Sequence, residues 1–301
     1  MIFTSSLLAY SLAPTLALSL QVGPNPTSIS QSDGHTELRD RQPRESGIDA
    51  FSDPSSEWLA QCLARLSDDA SRAHTMAQIR RNATSGSERV LANHCLGLAA
   101  TELGLWEDAI VAFGAARDES PTDELRVRAR FGTMAGNGAM AAGDAARALP
   151  ILQQAKSDAQ RSASAPLQAI AASDLARALV SLGMNDQALI ELDDATRLMP
   201  DASEGWLLKA TLLRRLDRLE EAQTTIELAG VLAPQDGQIG LEAGVIAVLS
   251  GRENAARQSW QSVIDTQPDS MAAQTAREYL AQIGPPQDQE PAPLSNTEGV
   301  E

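Results

Sequence analysis

The chain has 301 residues, of which 43 % are apolar but only 3 % aromatic, so it can bury a sizeable core filled by Ala, Leu, Val and Ile. Its formal charge of −16 excludes a surface built to neutralise phosphates, because nucleic-acid affinity rests on clustered Lys and Arg. Ala and Leu favour helix, and no sustained Val/Ile/Thr alternation argues for strands, so the fold is expected to be all-α.

Residues 1–22 are uncharged and apolar, and no Lys or Arg precedes Arg39. The apolar centre from Leu7 to Leu20 contains Pro14, falls short of the ~20 residues of a membrane span, and ends near the small residues Ala17 and Ser19. The segment reads as a signal peptide or apolar leader, although it lacks a basic start. It predicts an exported, periplasmic chain without a stable transmembrane span; a false start, leaving the chain cytoplasmic, and an uncleaved anchor are the other readings. Residues 23–56 carry Pro24, Pro26, Pro43 and Gly47 among polar residues and read as a disordered linker. Residues 57–66 and 68–81 then predict a helix pair around Trp58, Leu63, Met76 and Ile79, a degenerate N-terminal repeat or a cap.

Further along, a period governs the sequence. Pro200, Pro234 and Pro268 each close an apolar-rich helical pattern, 34 residues apart. When each proline is given position 32, position 8 is Ala176, Ala210 and Gly244, position 20 is Ala188, Ala222 and Ala256, and position 24 is Leu192, Ile226 and Trp260. The same register fits Gly97, Gly104, Ala109, Phe113, Ala116 and Pro121 upstream. It also fits Gly136, Gly143, Ala148, Leu152 and Ala155, where Gln160 replaces the proline. That unit stands 39 and 40 residues from its neighbours, so residues 122–128 and 161–168 are expected to lengthen helices or turns. Each unit predicts two antiparallel helices, A and B, with positions 8 and 20 meeting where they come closest. Gly104, Gly143, Gly183 and Gly251 end helix A at position 15, where Asp217 is the exception. Residues 269–283 predict a capping helix, and 284–301 an acidic, proline-rich tail.

These small, large, Gly and Pro positions over residues 90–268 closely resemble the tetratricopeptide family, whose period is 34. The resemblance implies an α-solenoid over residues 57–283, a right-handed superhelix whose A helices line a concave groove for a partner's peptide or helix. Within that family the chain resembles exported, Ala-rich repeat proteins of Gram-negative bacteria. Helix-A positions 2, 5, 9, 12 and 13 would face the groove, which brings forward Asn137, Arg177, Thr211, Arg214, Arg215, Leu241 and Val245. Arg177, Arg214 and Arg215 would either grip a carboxylate through forked hydrogen bonds or be paired within the chain. The family's clamp for a C-terminal carboxylate needs Lys at position 5 and Asn at position 9; Asn137 is present but Thr133 replaces the lysine. The apolar residues Leu98, Leu241, Val245 and Val248 also suit a chaperone-like holder of unfolded or extended peptides, in secretion or cytochrome maturation.

The sequence carries no catalytic or cofactor motif, so a non-enzymatic protein without cofactor or metal is expected. There is no Gly-x-Ser-x-Gly, no His-Glu-x-x-His and no catalytic Cys constellation. Asp193 and Asp194 are adjacent and diverge on a helix. Gly136, Gly138 and Gly143 lack the strand before and the lysine after that a phosphate loop needs. Cys62 and Cys95 lie 33 residues apart, close to one repeat, and are either a disulfide between neighbouring A helices or two core thiols. With His74 and His94 they match no zinc spacing. The sequon Asn82-Ala83-Thr84 is a glycan acceptor in a eukaryotic secretory route or a helix-ending turn.

Overall fold

A computed structural model describes residues 54–285. The leader, the linker up to residue 53 and the tail from residue 286 lie outside the described residues. Residues 54–56, expected to be linker, form the first turn of a helix, opened by a proline in the position where its missing N–H costs nothing.

Thirteen helices and no strand occur among the described residues. The first pair is α1 (Pro54–Asp68) and α2 (Ala70–Ala83). Five A/B pairs follow: α3 (Gly86–Glu102) with α4 (Trp106–Glu119), α5 (Leu125–Ala141) with α6 (Ala145–Arg161), α7 (Ala165–Ser181) with α8 (Asn185–Leu198), α9 (Ser203–Arg215) with α10 (Leu219–Leu232), and α11 (Gly237–Leu249) with α12 (Glu253–Thr266). The capping helix is α13 (Met271–Ile283). Asn82 lies exposed in the last turn of α2, where the helix ends.

All five A helices end in one way. The N–H of position 16 donates to the carbonyl of position 11, from Leu105 to Ala100 (2.8 Å) in the first unit through Arg252 to Ala247 (2.8 Å) in the last. This six-to-one closure requires a left-handed residue between. Gly104, Gly143, Gly183 and Gly251 supply it at φ 69°, 78°, 75° and 72°, and Asp217 adopts φ 58° in their place. Four B helices stop one or two residues before a proline; α6, which lacks one, runs for 17 residues where the others run for 14. The extra residues ahead of α5 and α7 become one additional helical turn, so α3, α5 and α7 have 17 residues and α9 and α11 have 13.

In the interior, positions 8 and 20 of the third and fourth units share core clusters, Ala176 with Ala188 and Ala210 with Ala222. Position 8 lies under position 24 of its own unit. A methyl group on Gly97 would stand 2.5 Å from the Phe113 ring, on Gly136 2.4 Å from Leu152, and on Gly244 2.0 Å from the indole nitrogen of Trp260. Position 20 of the first unit also reaches the next junction: Ala109 Cβ is 3.9 Å from where a Cβ on Gly138, in the following A helix, would sit. Both positions stay small because each lies beneath a side chain of a neighbouring helix.

Each helix packs on the next, and A helices also pack on A helices: α1 on α3, α5 on α7, α7 on α9, α9 on α11 and α11 on α13. Between α3 and α5 the contact is an edge-to-face pair of His94 and Phe131, 5.2 Å between centroids. B helices reach one another chiefly through long side chains, such as Arg147 to Glu107 (2.6 Å) and Lys156 to Glu191. The A row is therefore the tight side of the stack. At its start a disulfide joins Cys62 on α1 to Cys95 on α3 with Cα atoms 6.4 Å apart, and both cysteines are fully buried. That settles the alternative left open by their spacing.

Candidate functional site

The A row carries the expected groove residues, and the structure separates them into three groups. Asn137, Arg177 and Arg214 belong to polar links between successive A helices. Asn137 Nδ2 donates to Asp174 Oδ2 (3.0 Å), crossing from α5 to α7. Arg177 donates through Nη1 to Asp174 Oδ1 (2.5 Å) and through Nη2 to Glu204 on α9. Arg214 makes a forked contact with Glu242 on α11, Nε to Oε1 at 2.6 Å and Nη2 to Oε2 at 3.4 Å. Two of the three arginines that could have gripped a carboxylate ligand are thus already occupied by the chain's own carboxylates.

Thr211 is half-buried without a side-chain hydrogen bond, and Arg215 is exposed with no ionic partner among the described residues. These two remain available. Leu241 requires a correction, because it is 9 % exposed and shares a core cluster with Trp260, Val263 and Ala272. Its carbonyl accepts from Trp260 Nε1 at 3.1 Å. Val245 is half-buried against the same cluster. Helix α11 is apolar on most sides, so periodicity does not choose its inward face; contact with α12 and α13 does.

Asp174 and Glu242, which complete the links, were missed in the sequence. Both occupy position 6 of an A helix, where other units carry Cys95, Met134 and Leu208. A carboxylate at an interior position was the available signal, since a buried charge survives only with partners. Burial pushes the Asp174 carboxyl above its ordinary range, against the opposing pull of Arg177 and Asn137. Burial lowers Arg177, but Asp174 and Glu204 outweigh it and hold the guanidinium above its usual value. His94, at position 5 of α3, is pulled down to about 4 by burial first and by the Arg130 charge second.

Beside Asp174 a cleft of about 90 Å³ opens between α7 and α9. Its walls include Pro166, Ile170, Ser173, Asp174, Met199 and Glu204. Pro166 belongs to the additional first turn of α7, and α9, one turn shorter, offers that turn nothing to pack against. The cleft sits at this step in helix length. No group of three or more metal-ligating side chains occurs among the described residues, and the two cysteines that a zinc site would need are consumed in the disulfide.

No protein-family model matches the chain, and no curated protein matches it. Solved structures do. A Thermus thermophilus protein, TTC0263, described as a thermophilic TPR protein, matches with TM-score 0.52 and 18 % identity over 63 % of this chain and 97 % of its own. The solenoid is of the tetratricopeptide type. Pseudomonas aeruginosa pilF matches this tetratricopeptide-type array with TM-score 0.56 and 15 % identity, over 75 % of this chain and 97 % of that one. A chain of the APC/C hetero-tetramer Cut9–Hcn1 matches with TM-score 0.56 and 14 % identity, over 75 % of this chain. The array spans 42 % of that chain's length. At these identities the likeness establishes the fold. Among the described residues no helix is long and apolar enough to cross a membrane.

Proposed function

We propose that this chain is a non-catalytic interaction module that receives a segment of a partner protein along the row of A helices. The observation that carries this reading is the A row itself. It is a continuous layer, Arg177 and Arg214 are fixed in helix-to-helix links, and Ile170, Thr211 and Arg215 are left open to a guest. A similar solenoid within a hetero-tetramer, Cut9–Hcn1, supports an assembly role. The buried Cys62–Cys95 bridge supports an oxidising compartment, and with the apolar leader it favours export to the cell envelope. The holder of unfolded chains is the weaker reading, because Leu241 turns into the core and Leu98, Val245 and Val248 are half-buried.

A photo-crosslinking amino acid placed at Arg215 tests the reading against one placed at exposed Ser157 on α6. In envelope extract, Arg215 should yield a discrete adduct that Ser157 does not. Equal labelling from both faces would refute the A-row site, and a smear of many unstructured chains would favour the holder.

A further inference from the structure

The charge balance of the A row points to the kind of side chain the cleft between α7 and α9 accepts. Around Arg177 there are two carboxylates, Asp174 and Glu204, for one guanidinium. Asp174 uses one lone pair of each oxygen, on Arg177 and Asn137, which leaves acceptor capacity on a carboxylate that is 3 % exposed.

A second, independent observation comes from Ser173. Hydroxyls within the helices of this chain commonly donate to the carbonyl four residues back: Thr101 to Gly97 (2.9 Å), Ser181 to Arg177 (3.0 Å) and Thr225 to Glu221 (2.7 Å). Ser173 is 7 % exposed, lines the cleft and makes no side-chain hydrogen bond. Its hydroxyl lines the cleft with its hydrogen-bonding capacity unused by the chain, so a donor from a guest can replace water there. Arg177 also lines the cleft, its charge met by Asp174 and Glu204, and the other walls are apolar, with Ile170 half-open to solvent at 51 % and Met199 partly buried. At about 90 Å³ the cleft is far below the ~300–1,000 Å³ of small-molecule sites and suits a single side chain.

We propose that this cleft receives one lysine of the partner segment, its methylene stem lying on Ile170 and Met199 and its ammonium held by Ser173 Oγ, Asp174 and Glu204. Lysine fits better than arginine because its head is compact and its three donors rotate to meet acceptors on separate residues, whereas the guanidinium is a rigid plane. The formal charge of −16 draws a basic segment toward the array. This inference rests on the A-row reading above and adds the chemistry of the guest.

The test uses the full chain and three labelled peptide pools of about nine residues, with neutral random flanks and a fixed centre of lysine, norleucine or glutamate. Norleucine keeps the stem and removes the charge. Fluorescence anisotropy should show the lysine pool binding about tenfold tighter than either other pool, with the gap narrowing as salt rises. In Glu204→Gln, at an exposed position, the preference should fall several-fold, and in Ser173→Met, which fills the cleft without touching a charge, it should vanish. Asp174→Asn should also abolish it; if that variant fails to fold, the other two decide. Equal binding of the three pools would overturn the lysine site while leaving the A-row reading intact, and preference for glutamate would overturn its sign. Binding of no pool would remove the A-row reading and this inference with it.

Discussion

Gly244 lies beneath Trp260, and adding one carbon there should unsettle the last repeat by a calculable amount. The new Cβ would be 2.0 Å from Trp260 Nε1 and 2.4 and 2.5 Å from two further ring atoms, so the indole must move or α11 and α12 must separate. Overpacking of this kind costs about 1–3 kcal/mol. Displacing the indole also endangers its hydrogen bond to the Leu241 carbonyl (3.1 Å), worth about 1 kcal/mol. Alanine returns about 1 kcal/mol as the better helix former, so Gly244→Ala should destabilise by roughly 1–3 kcal/mol net. Gly114 provides the contrast, because a Cβ there meets nothing within 4 Å, and Gly114→Ala should stabilise by about 0.5–1 kcal/mol. Units with Ala at position 8 carry Leu192 or Ile226 above it, which suggests the rescue. Trp260→Leu should cost stability alone but relieve Gly244→Ala, giving a coupling of at least ~1 kcal/mol in a double-mutant cycle followed by urea unfolding and circular dichroism at 222 nm. Additivity within ~0.5 kcal/mol, or equal effects of the two alanine substitutions, would refute the nesting of position 8 under position 24.

Asp158 and Arg117 form a buried pair at 2.7 Å with side chains 5 % and 9 % exposed, so Asp158→Ala should cost up to about 3–5 kcal/mol by leaving the guanidinium only the exposed Asp118 as ionic partner. Arg117→Met with Asp158→Leu should recover most of that loss in thermal melts; no recovery would mean that the pair's charge is not what burial penalises. His94 is held neutral, its folded value about 4 lying below the unfolded 6.5, so between those values the unfolded chain binds more protons. Its contribution, up to ~3 kcal/mol, is complete above pH 6.5 and is lost as pH falls toward 4; His94→Gln should flatten that part of the pH–stability curve, and an unchanged slope would refute it. Removing the disulfide with Cys62→Ala and Cys95→Ala should cost about 3–4 kcal/mol from the released loop. Amide exchange should speed up in α1 before α9, and uniform loss of protection would contradict a local clamp.

The hairpin repeat was legible because its marks follow from backbone geometry. A left-handed residue must close each A helix, and a proline cannot continue a B helix, so Gly104 or Pro234 declares its place without knowledge of any contact. The pairing of positions 8 and 24 was not legible, since it depends on how far two helices rotate about their axes. The candidate site was half readable for the same reason. Arg177 and Arg214 could be assigned to the A row by register, but Asp174 and Glu242 occupy a position that is apolar in other units. Leu241 was placed in the groove because register alone cannot tell an inward from an outward residue on a helix as uniformly apolar as α11. The cysteine spacing permitted a bridge, and only the Cα separation of 6.4 Å selects it from the two alternatives.

A perfectly regular array would have offered no distinguished place for a guest. The first three A helices of the repeats carry an additional turn, about 6 Å of length, and the next two do not. Where α7 meets α9 the longer helix overhangs the shorter, and Pro166, Ile170 and Met199 wall the space so created. The same junction holds the buried Asp174, two carboxylates for one arginine, and a serine hydroxyl that no group of the chain engages. Departures from local rules that stability alone would remove tend to gather where a protein acts. An unfilled step and an unpaired serine serve packing poorly, and the interior acid persists only because Arg177 and Asn137 hold it. Their coincidence in one cleft is what the lysine site accounts for, since two carboxylates share the single charge of Arg177 and a donor there would find acceptors unused by the chain.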